Sequence, residues 1–354
     1  MCGKQTDDKQ VEPDGIEIIS KVEPMMCGGT DAYRDTKAPK KILSKDMTLF
    51  EVDSSFSMIV LPSEYNNRDR LWYISAFAIR GEKGTFVNLA KVKECRGPVK
   101  SSLALVKRDV MPDLVDLVDE FDLAKWNGSH SNTYGLPENF GGSILVKYAS
   151  GEKISTSNNQ CPVLPYDMAL RMEGMFESFM KEERVPLKDL SGLREIRLSE
   201  ERKDGYVRAT LTFNADGTGT NRKRSRYGDK EFESEKPVDA ETMSNIKRTI
   251  DSCGMLAWTG IPERDYKALS EKSMTFVFDD GETVTAEDNR ALPYSVSNGF
   301  FNIELEMTTK HRRGRLGYGA REPFGDVGYP RGALRDARGI DVRVQRERAS
   351  VHVV

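Results

Sequence analysis

The sequence predicts an α+β protein built from two tandem repeats, each an antiparallel sheet with helices packed on one face. Three observations predict it: helical and strand-like hydrophobic patterns both occur, a tryptophan-containing segment occurs twice, and the patterns around it follow in the same order. Apolar residues three or four positions apart indicate a helix face, whereas alternation indicates a half-buried strand. Strands followed by helices in this way are typical of the α+β class.

The repeat is centred on two tryptophans. Trp126-Asn127-Gly128 recurs as Trp258-Thr259-Gly260, 132 positions later. Apolar residues at helical spacing precede each tryptophan, namely Met111, Leu114, Val118 and Phe121 in one copy and Met243, Ile246, Ile250 and Cys253 in the other. Because such spacing puts each set on one helix face, we predict equivalent helices before the two tryptophans.

Strand-like segments surround these helices in both copies. Each tryptophan is followed by an alternating hairpin pattern, at residues 143–148 with 151–154 and at 273–278 with 281–284. Gly151 and Gly281 suit the tight turns of these hairpins. Both copies then read Leu-Pro-Tyr, at 164–166 and 292–294, before a closing helical pattern. Further strands are predicted before each first helix, at residues 50–61 and 71–79 and at 194–198 and 206–213.

Composition divides the chain into four parts. Residues 1–41 are polar and predict a disordered tether, residues 42–184 hold repeat 1, residues 185–310 hold repeat 2, and residues 311–354 form an Arg/Gly-rich tail. The tail carries ten Arg, no Lys and a net charge of +5, against −8 for the preceding 310 residues. We interpret it as disordered or foreign translated sequence. An RNA-binding tail is the alternative, because guanidinium and aromatic groups stack on bases.

Length and composition exclude several function classes. The 354 residues suit two domains, and 38% apolar residues suffice for a core in each. The apolar runs are strand-sized and fall short of the roughly 18 residues that a membrane-spanning helix needs. The net charge of −3 gives no overall field for nucleic acid or anionic lipid.

The N-terminal residues predict where the protein acts. Met1-Cys2-Gly3-Lys4 has no signal sequence before it, which taken literally predicts a cytoplasmic protein. A cysteine followed by a polar linker, however, resembles the mature start of a bacterial lipoprotein, and this resemblance implies lipidation of Cys2. The alternative is a cysteine that occurs there by chance. The repeat pattern over about residues 42–309 also resembles uncharacterised surface-attached lipoproteins of gut-type Firmicutes, which implies a cell-envelope setting and no established activity.

Few residues are suited to catalysis or metal binding. His130 is the only histidine before the tail, and no His or Cys pair has the spacing of zinc ligands. We therefore predict no cofactor and no metal site. His130 with Cys161 is the candidate catalytic pair if the protein is an envelope enzyme acting on peptidoglycan, peptide or glycan, the first alternative function.

The possible ligand-binding residues are the two tryptophans and one basic cluster. We interpret Trp126 and Trp258 as core or loop anchors, with carbohydrate-stacking platforms as the alternative. Arg222, Arg224 and Arg226 are interpreted as one solvated strand of a hairpin. Contact with an anionic polymer is their alternative role, and a nucleic-acid binder acting through this cluster and the tail is the second alternative function.

The sequence therefore favours a non-catalytic binding or scaffolding module at the bacterial cell surface. Its expected partner is an unknown envelope ligand or protein. We expect contact with the membrane only through the lipid on Cys2, and no binding of nucleic acid.

Overall fold

The computed structural model describes residues 10–11, 15–20, 30–56, 70–93, 99–133, 141–258, 271–287 and 292–308. Within them the protein is a mixed α+β fold with two sheets and four α-helices, in which strands predominate. The α+β prediction is confirmed. Cys2 and the tail over residues 311–354 lie outside the described residues.

The first sheet has ten strands. In chain order they are β1 (Gln10–Val11), β2 (Ile16–Ser20), β3 (Thr30–Asp35), β4 (Met47–Ser55), β5 (Tyr73–Arg80), β6 (Thr85–Val92), β7 (Lys100–Val106), β8 (Ser129–Thr133), β9 (Gly142–Tyr148) and β10 (Lys153–Asn158). Their order across the sheet is β1-β2-β3-β8-β10-β9-β4-β5-β6-β7. Strands β8 and β10 are parallel, so the prediction of a purely antiparallel sheet is wrong at this pair.

The second sheet has six strands, all paired antiparallel. They are β11 (Leu193–Arg202), β12 (Gly205–Phe213), β13 (Gly219–Tyr227), β14 (Lys230–Val238), β15 (Glu271–Phe278) and β16 (Thr283–Glu287), in the order β14-β13-β12-β11-β15-β16. The strand order β10-β9-β4-β5-β6-β7 in the first sheet thus has the same sequence of connections as β16-β15-β11-β12-β13-β14 in the second.

The four α-helices are α1 (Met111–Glu120), α2 (Tyr166–Phe179), α3 (Ala240–Ser252) and α4 (Tyr294–Thr308). Each forms where apolar residues recur at helical spacing, and α3 is also capped by Asp239, whose carboxylate accepts the backbone N–H of Thr242 at 2.7 Å. Short 3-10 helices, Leu123–Trp126 and Met255–Trp258, follow α1 and α3 and end at the two tryptophans. We call residues 30–179 the first half and residues 193–308 the second half.

Three apolar clusters hold the fold together. The first core lies between the first sheet and helices α1 and α2, and the second core lies between the second sheet and helices α3 and α4. A third cluster joins the halves, because Trp258 and Val296 pack against Phe77 and Phe86 on the opposite face of the first sheet. The prediction of helices on one face is therefore incomplete for the first sheet, whose other face is covered by the second half.

Two polar segments form more structure than the sequence predicts. Strand β3 pairs with β8, with Tyr33 opposite His130, so the prediction of a disordered tether over residues 1–41 is wrong for Thr30–Asp35. The sequence of this strand is too polar to show the apolar alternation by which strands are recognised. It forms because the neighbouring strands satisfy the hydrogen bonds of its backbone. The segment between the halves is also ordered: the backbone N–H of Val185 donates to Leu105 of β7 at 2.8 Å. In the described part of the chain, no helix is both long and apolar enough to cross a membrane.

Candidate functional site

The two tryptophans that the sequence relates have different environments. Trp258 is 0% exposed, with its ring edge-on to Phe86 at 5.1 Å and tilted against Phe77 at 5.9 Å between centroids. It is thus a structural anchor between the halves. Trp126 is only half-buried: it packs against the first core, and the Lys125 ammonium lies 4.3 Å from its ring centroid.

The residues after Trp126 fix its position. Asn127 is buried, and its amide group donates to Pro39 O at 3.0 Å and to Lys153 O at 2.8 Å. Gly128 has a φ of +77°, and a Cβ on it would lie 2.6 Å from the Ala38 side chain. The Trp-Asn-Gly motif therefore combines an aromatic side chain, a buried hydrogen-bonding residue and a position that only glycine can occupy, because a side chain would not fit there.

A groove of about 510 Å³ opens beside Trp126. It lies where strands β3, β8 and β10 run beside the segment 162–165 that leads to α2. The apolar part of its lining is Trp126 with Pro162, Val163, Leu164 and Pro165. The polar part includes Arg34, Ser129, Ser131, Thr156 and Asn158. The volume falls within the range of small-molecule sites, but the groove is open to solvent and more polar than most of them.

Hydrogen-bond donors predominate in this groove. Among the described residues, the hydroxyls of Ser129 and Ser131 bond to no other group, and Asn158 uses only its side-chain oxygen, which accepts from the backbone of Gln160 and Cys161. Thr156 is already engaged, because its hydroxyl donates to Ser129 O at 2.7 Å. Among the described residues, no aspartate or glutamate lines the groove.

Positive charge accumulates at one rim of the groove. Arg34 is exposed and forms no ion pair within the described parts of the chain. Partial burial and then the charge of Arg34 lower the pKa of Lys40, whereas Asp35 raises it, so Arg34 and Lys40 are close enough to repel. The Lys40 ammonium donates to the backbone oxygen of Asn127, next to Trp126.

His130 and Cys161, the candidate pair under the enzyme alternative, do not contact each other through a hydrogen bond. His130 stacks on Tyr33 at 4.9 Å, and its Nδ1 lies 2.9 Å from Ser157 Oγ. Cys161 is exposed, and no hydrogen bond links its thiol to His130 among the described residues. A cysteine nucleophile needs an adjacent base, which this arrangement does not provide.

A polar row that the sequence does not predict crosses the first sheet. Strand pairing aligns His130, Ser157, Ser143 and Asp53 on four neighbouring strands. The Ser143 hydroxyl donates to Asp53 at 2.6 Å, and burial raises the pKa of Asp53 to about 6 although this hydrogen bond lowers it. His130 and Asp53 contact different serines, so the row lacks the histidine-to-carboxylate bond of a catalytic triad.

The basic cluster lies on the second sheet, apart from the groove. Arg222 Nε is 2.9 Å from Glu235, and Arg224 Nη2 is 3.5 Å from Glu233, both on the edge strand β14. Arg226 lies over the Tyr206 ring at 5.3 Å. The three arginines lie on the exposed face of β13, and the neighbouring glutamates offset the charge that an anionic polymer would need.

The remaining residue-level results concern metals and cysteines. No group of three or more His, Cys, Asp or Glu side chains in the described residues is arranged to hold a metal ion. Cys253 ends α3 and packs against the second core, and burial raises the pKa of its thiol. Comparison with known proteins finds no protein-family model that matches the chain and no matching curated protein.

Proposed function

We propose that this chain is a non-catalytic binding module whose ligand site is the groove beside Trp126, and that its halves are two copies of one α+β unit. The observation that carries the proposal is a difference in the use of one surface. The second half buries this surface against the first sheet, whereas the first half leaves the equivalent surface open.

Three pairs of positions support the equivalence. Trp126 and Trp258 each end a 3-10 helix after the first helix of their half. Thr156 and Ala286 occupy the same place in the two hairpins, since they pair with Ile144 and Met274, which are 130 positions apart. Leu164 and Leu292 each lie two residues before the last helix. All three first-half members line the groove.

Polar substitutions distinguish the open surface from the buried one. Lys125 replaces Ala257, and Thr156 replaces Ala286. Both alanines are buried in the third cluster, where a charged or hydroxyl group would lose its water. The first-half surface is thus suited to a polar ligand rather than to another sheet.

The proposed setting is the bacterial cell envelope, with the chain tethered by lipid on Cys2 as in the surface lipoproteins that the sequence resembles. The ligand or partner would then be an envelope component. Expression of the gene with its native upstream sequence in a bacterial host fed radiolabelled palmitate tests the setting. We expect label on the protein that Cys2→Ser removes; equal labelling of both forms would contradict lipidation at Cys2.

A ligand screen tests the binding function. Saturation-transfer NMR of the full chain against mono- and disaccharides and short peptides should identify compounds that bind. The substitution Ser131→Trp fills the groove, so these compounds should no longer bind to that variant. Ser199→Trp, on the exposed face of the second sheet, is the matched control and should bind as the original chain does. The proposal fails if no compound binds, or if binding persists in Ser131→Trp.

A further inference from the structure

We infer that the groove beside Trp126 binds an acidic saccharide, a sugar ring that carries a carboxylate. This inference rests on the proposed binding function and specifies its ligand class. It depends on three features of the groove, taken over the described residues: a lining with several unbonded donors and no acid, an arginine that forms no ion pair, and an apolar wall.

The donors predict a ligand rich in acceptors. Ser129 and Ser131 present hydroxyls, and Asn158 presents an amide N–H₂ group, none of which bonds elsewhere in the described chain. Polar groups enclosed by a ligand lose their water and are costly unless the ligand supplies partners. Ring and carboxylate oxygens supply such acceptors.

Arg34 predicts the negative charge. Its guanidinium can donate two parallel hydrogen bonds to a carboxylate, a geometry that favours carboxylate over a neutral hydroxyl. Two lysines add positive charge at this rim, since Lys40 lies near Arg34 and Lys125 lies over Trp126, and the carboxylate of Asp35 offsets part of it. This groove, whose described lining holds no acid, occurs on a chain whose first 310 residues carry a net charge of −8.

The apolar wall predicts a ring-shaped body. Trp126 and the segment 162–165 offer carbon surface beside the row of donors. A sugar ring has C–H groups on its faces and hydroxyls at its edge, so it contacts both kinds of surface at once. A small inorganic anion would leave the apolar wall uncovered.

Titration calorimetry of the full chain tests the ligand class with three probes: digalacturonic acid, maltose and inorganic phosphate. We expect digalacturonic acid to bind at least tenfold more tightly than maltose, to be displaced by a large excess of maltose, and not to be displaced by equimolar phosphate. Arg34→Gln should weaken the binding of digalacturonic acid at least tenfold and change the affinity for maltose by less than twofold. Arg226→Gln removes the same charge from the second sheet, and it should change neither affinity more than twofold.

Each contrary outcome identifies what fails. Equal binding of maltose, or an unchanged affinity in Arg34→Gln, overturns the assignment of a carboxylate. Displacement of the disaccharide by equimolar phosphate overturns the saccharide and leaves a simple anion site. If all three probes fail to bind, but another compound binds the original chain and not Ser131→Trp, the ligand class is wrong and the binding function stands. If nothing binds at the groove, the proposed function itself fails.

Discussion

Trp126 and Trp258 each end a 3-10 helix after the first helix of their half, but their surroundings differ. Trp258 is fully buried against the first sheet, and Trp126 is half-buried beside an open groove. Their neighbours differ as well: Ala257 and Ala286 share the apolar cluster of Trp258 with Phe77 and Phe86, whereas Lys125 and Thr156 lie beside Trp126. The role of a recurring residue therefore depends on what it packs against.

Truncation of the two tryptophans is the strongest test of this comparison. Trp258→Ala removes a fully buried indole from the cluster that joins the halves and should lower the free energy of unfolding by about 3–5 kcal/mol. Trp126→Ala removes a half-buried ring and should cost about 1–2 kcal/mol. Urea denaturation followed by circular dichroism measures both. Equal losses would mean that the tryptophans have the same structural role.

A glycine before Trp258 should show the next largest effect. Gly254 has a φ of +57°, and a Cβ on it would lie 1.9 Å from Leu103 Cδ1 of the first sheet. Gly254→Ala combines backbone strain with overpacking and should cost about 2–4 kcal/mol. Gly281→Ala is the matched control, since its φ is +83° with nothing within 4 Å. If both variants lose the same stability, the approach of the two halves contributes nothing.

The polar contact between the halves should contribute less than the apolar one. Asn88 is 1% exposed, and its amide donates to Ser295 Oγ at 2.7 Å and to Ser102 O at 2.8 Å. Asn88→Ala removes both bonds, although the Ser295 hydroxyl keeps Ser101 as a partner, and should cost about 1–3 kcal/mol. Asn302→Ala, on the exposed side of α4, should change stability by less than about 0.5 kcal/mol. If Asn88→Ala leaves the free energy of unfolding unchanged, the polar contact contributes nothing and the apolar cluster holds the halves together.

The smallest expected effect is a change of the unfolding free energy with pH that comes from the first half only. Asp53 pairs with Ser143 as Ser199 pairs with Ser273 in the second half, so only the first half carries a carboxyl there. Burial raises the pKa of Asp53 from 3.8 to about 6, so the folded state holds its proton more tightly than the unfolded state does. The stability that this proton contributes is present below pH 4 and is lost as pH rises through 6.

The variant Asp53→Asn should remove this dependence. Relative to the variant, the original chain should lose about 1–2 kcal/mol of unfolding free energy between pH 4 and pH 7, less than the full shift because the group is partly exposed. Ser143→Ala should raise the pKa of Asp53 further, because it removes the hydrogen bond that favours the charged form. Denaturant titrations across this pH range measure the effect. A parallel decline in Asp53→Asn would assign it to another group.

Local sequence patterns were sufficient for the elements that are amphipathic by themselves. Helices α1 and α3 and the two hairpins each have one apolar face, so their spacing alone predicts them. Strand β6 is buried on both faces because the second half covers it, and β14 is exposed along most of its length. Neither strand shows the alternation of buried and exposed residues that predicts a half-buried strand. Both strands form because they pair with neighbouring strands in the assembled sheets.

The candidate site was predictable only in part. Trp126 is recognisable because it recurs, but Arg34 and Ser129 meet through the pairing of β3 with β8, which are about a hundred residues apart in the chain. No local period records such a pairing. The same limit applies to Arg222 and Arg224, whose strand is evident from the sequence while the facing glutamates of β14 are defined by the register.

The backbone bonds between the connecting segment and β7 have a consequence for solubility. Lys107 N–H donates to Glu183 O at 2.9 Å and Val185 N–H donates to Leu105 O at 2.8 Å, so the connector covers part of an edge of the first sheet. An uncovered strand edge is a template for aggregation. The second half covers a different surface, where Phe86 and Leu105 would lose their apolar cover if the halves separated. The connector and the second half therefore protect the first sheet from self-association at two surfaces, an edge and a face.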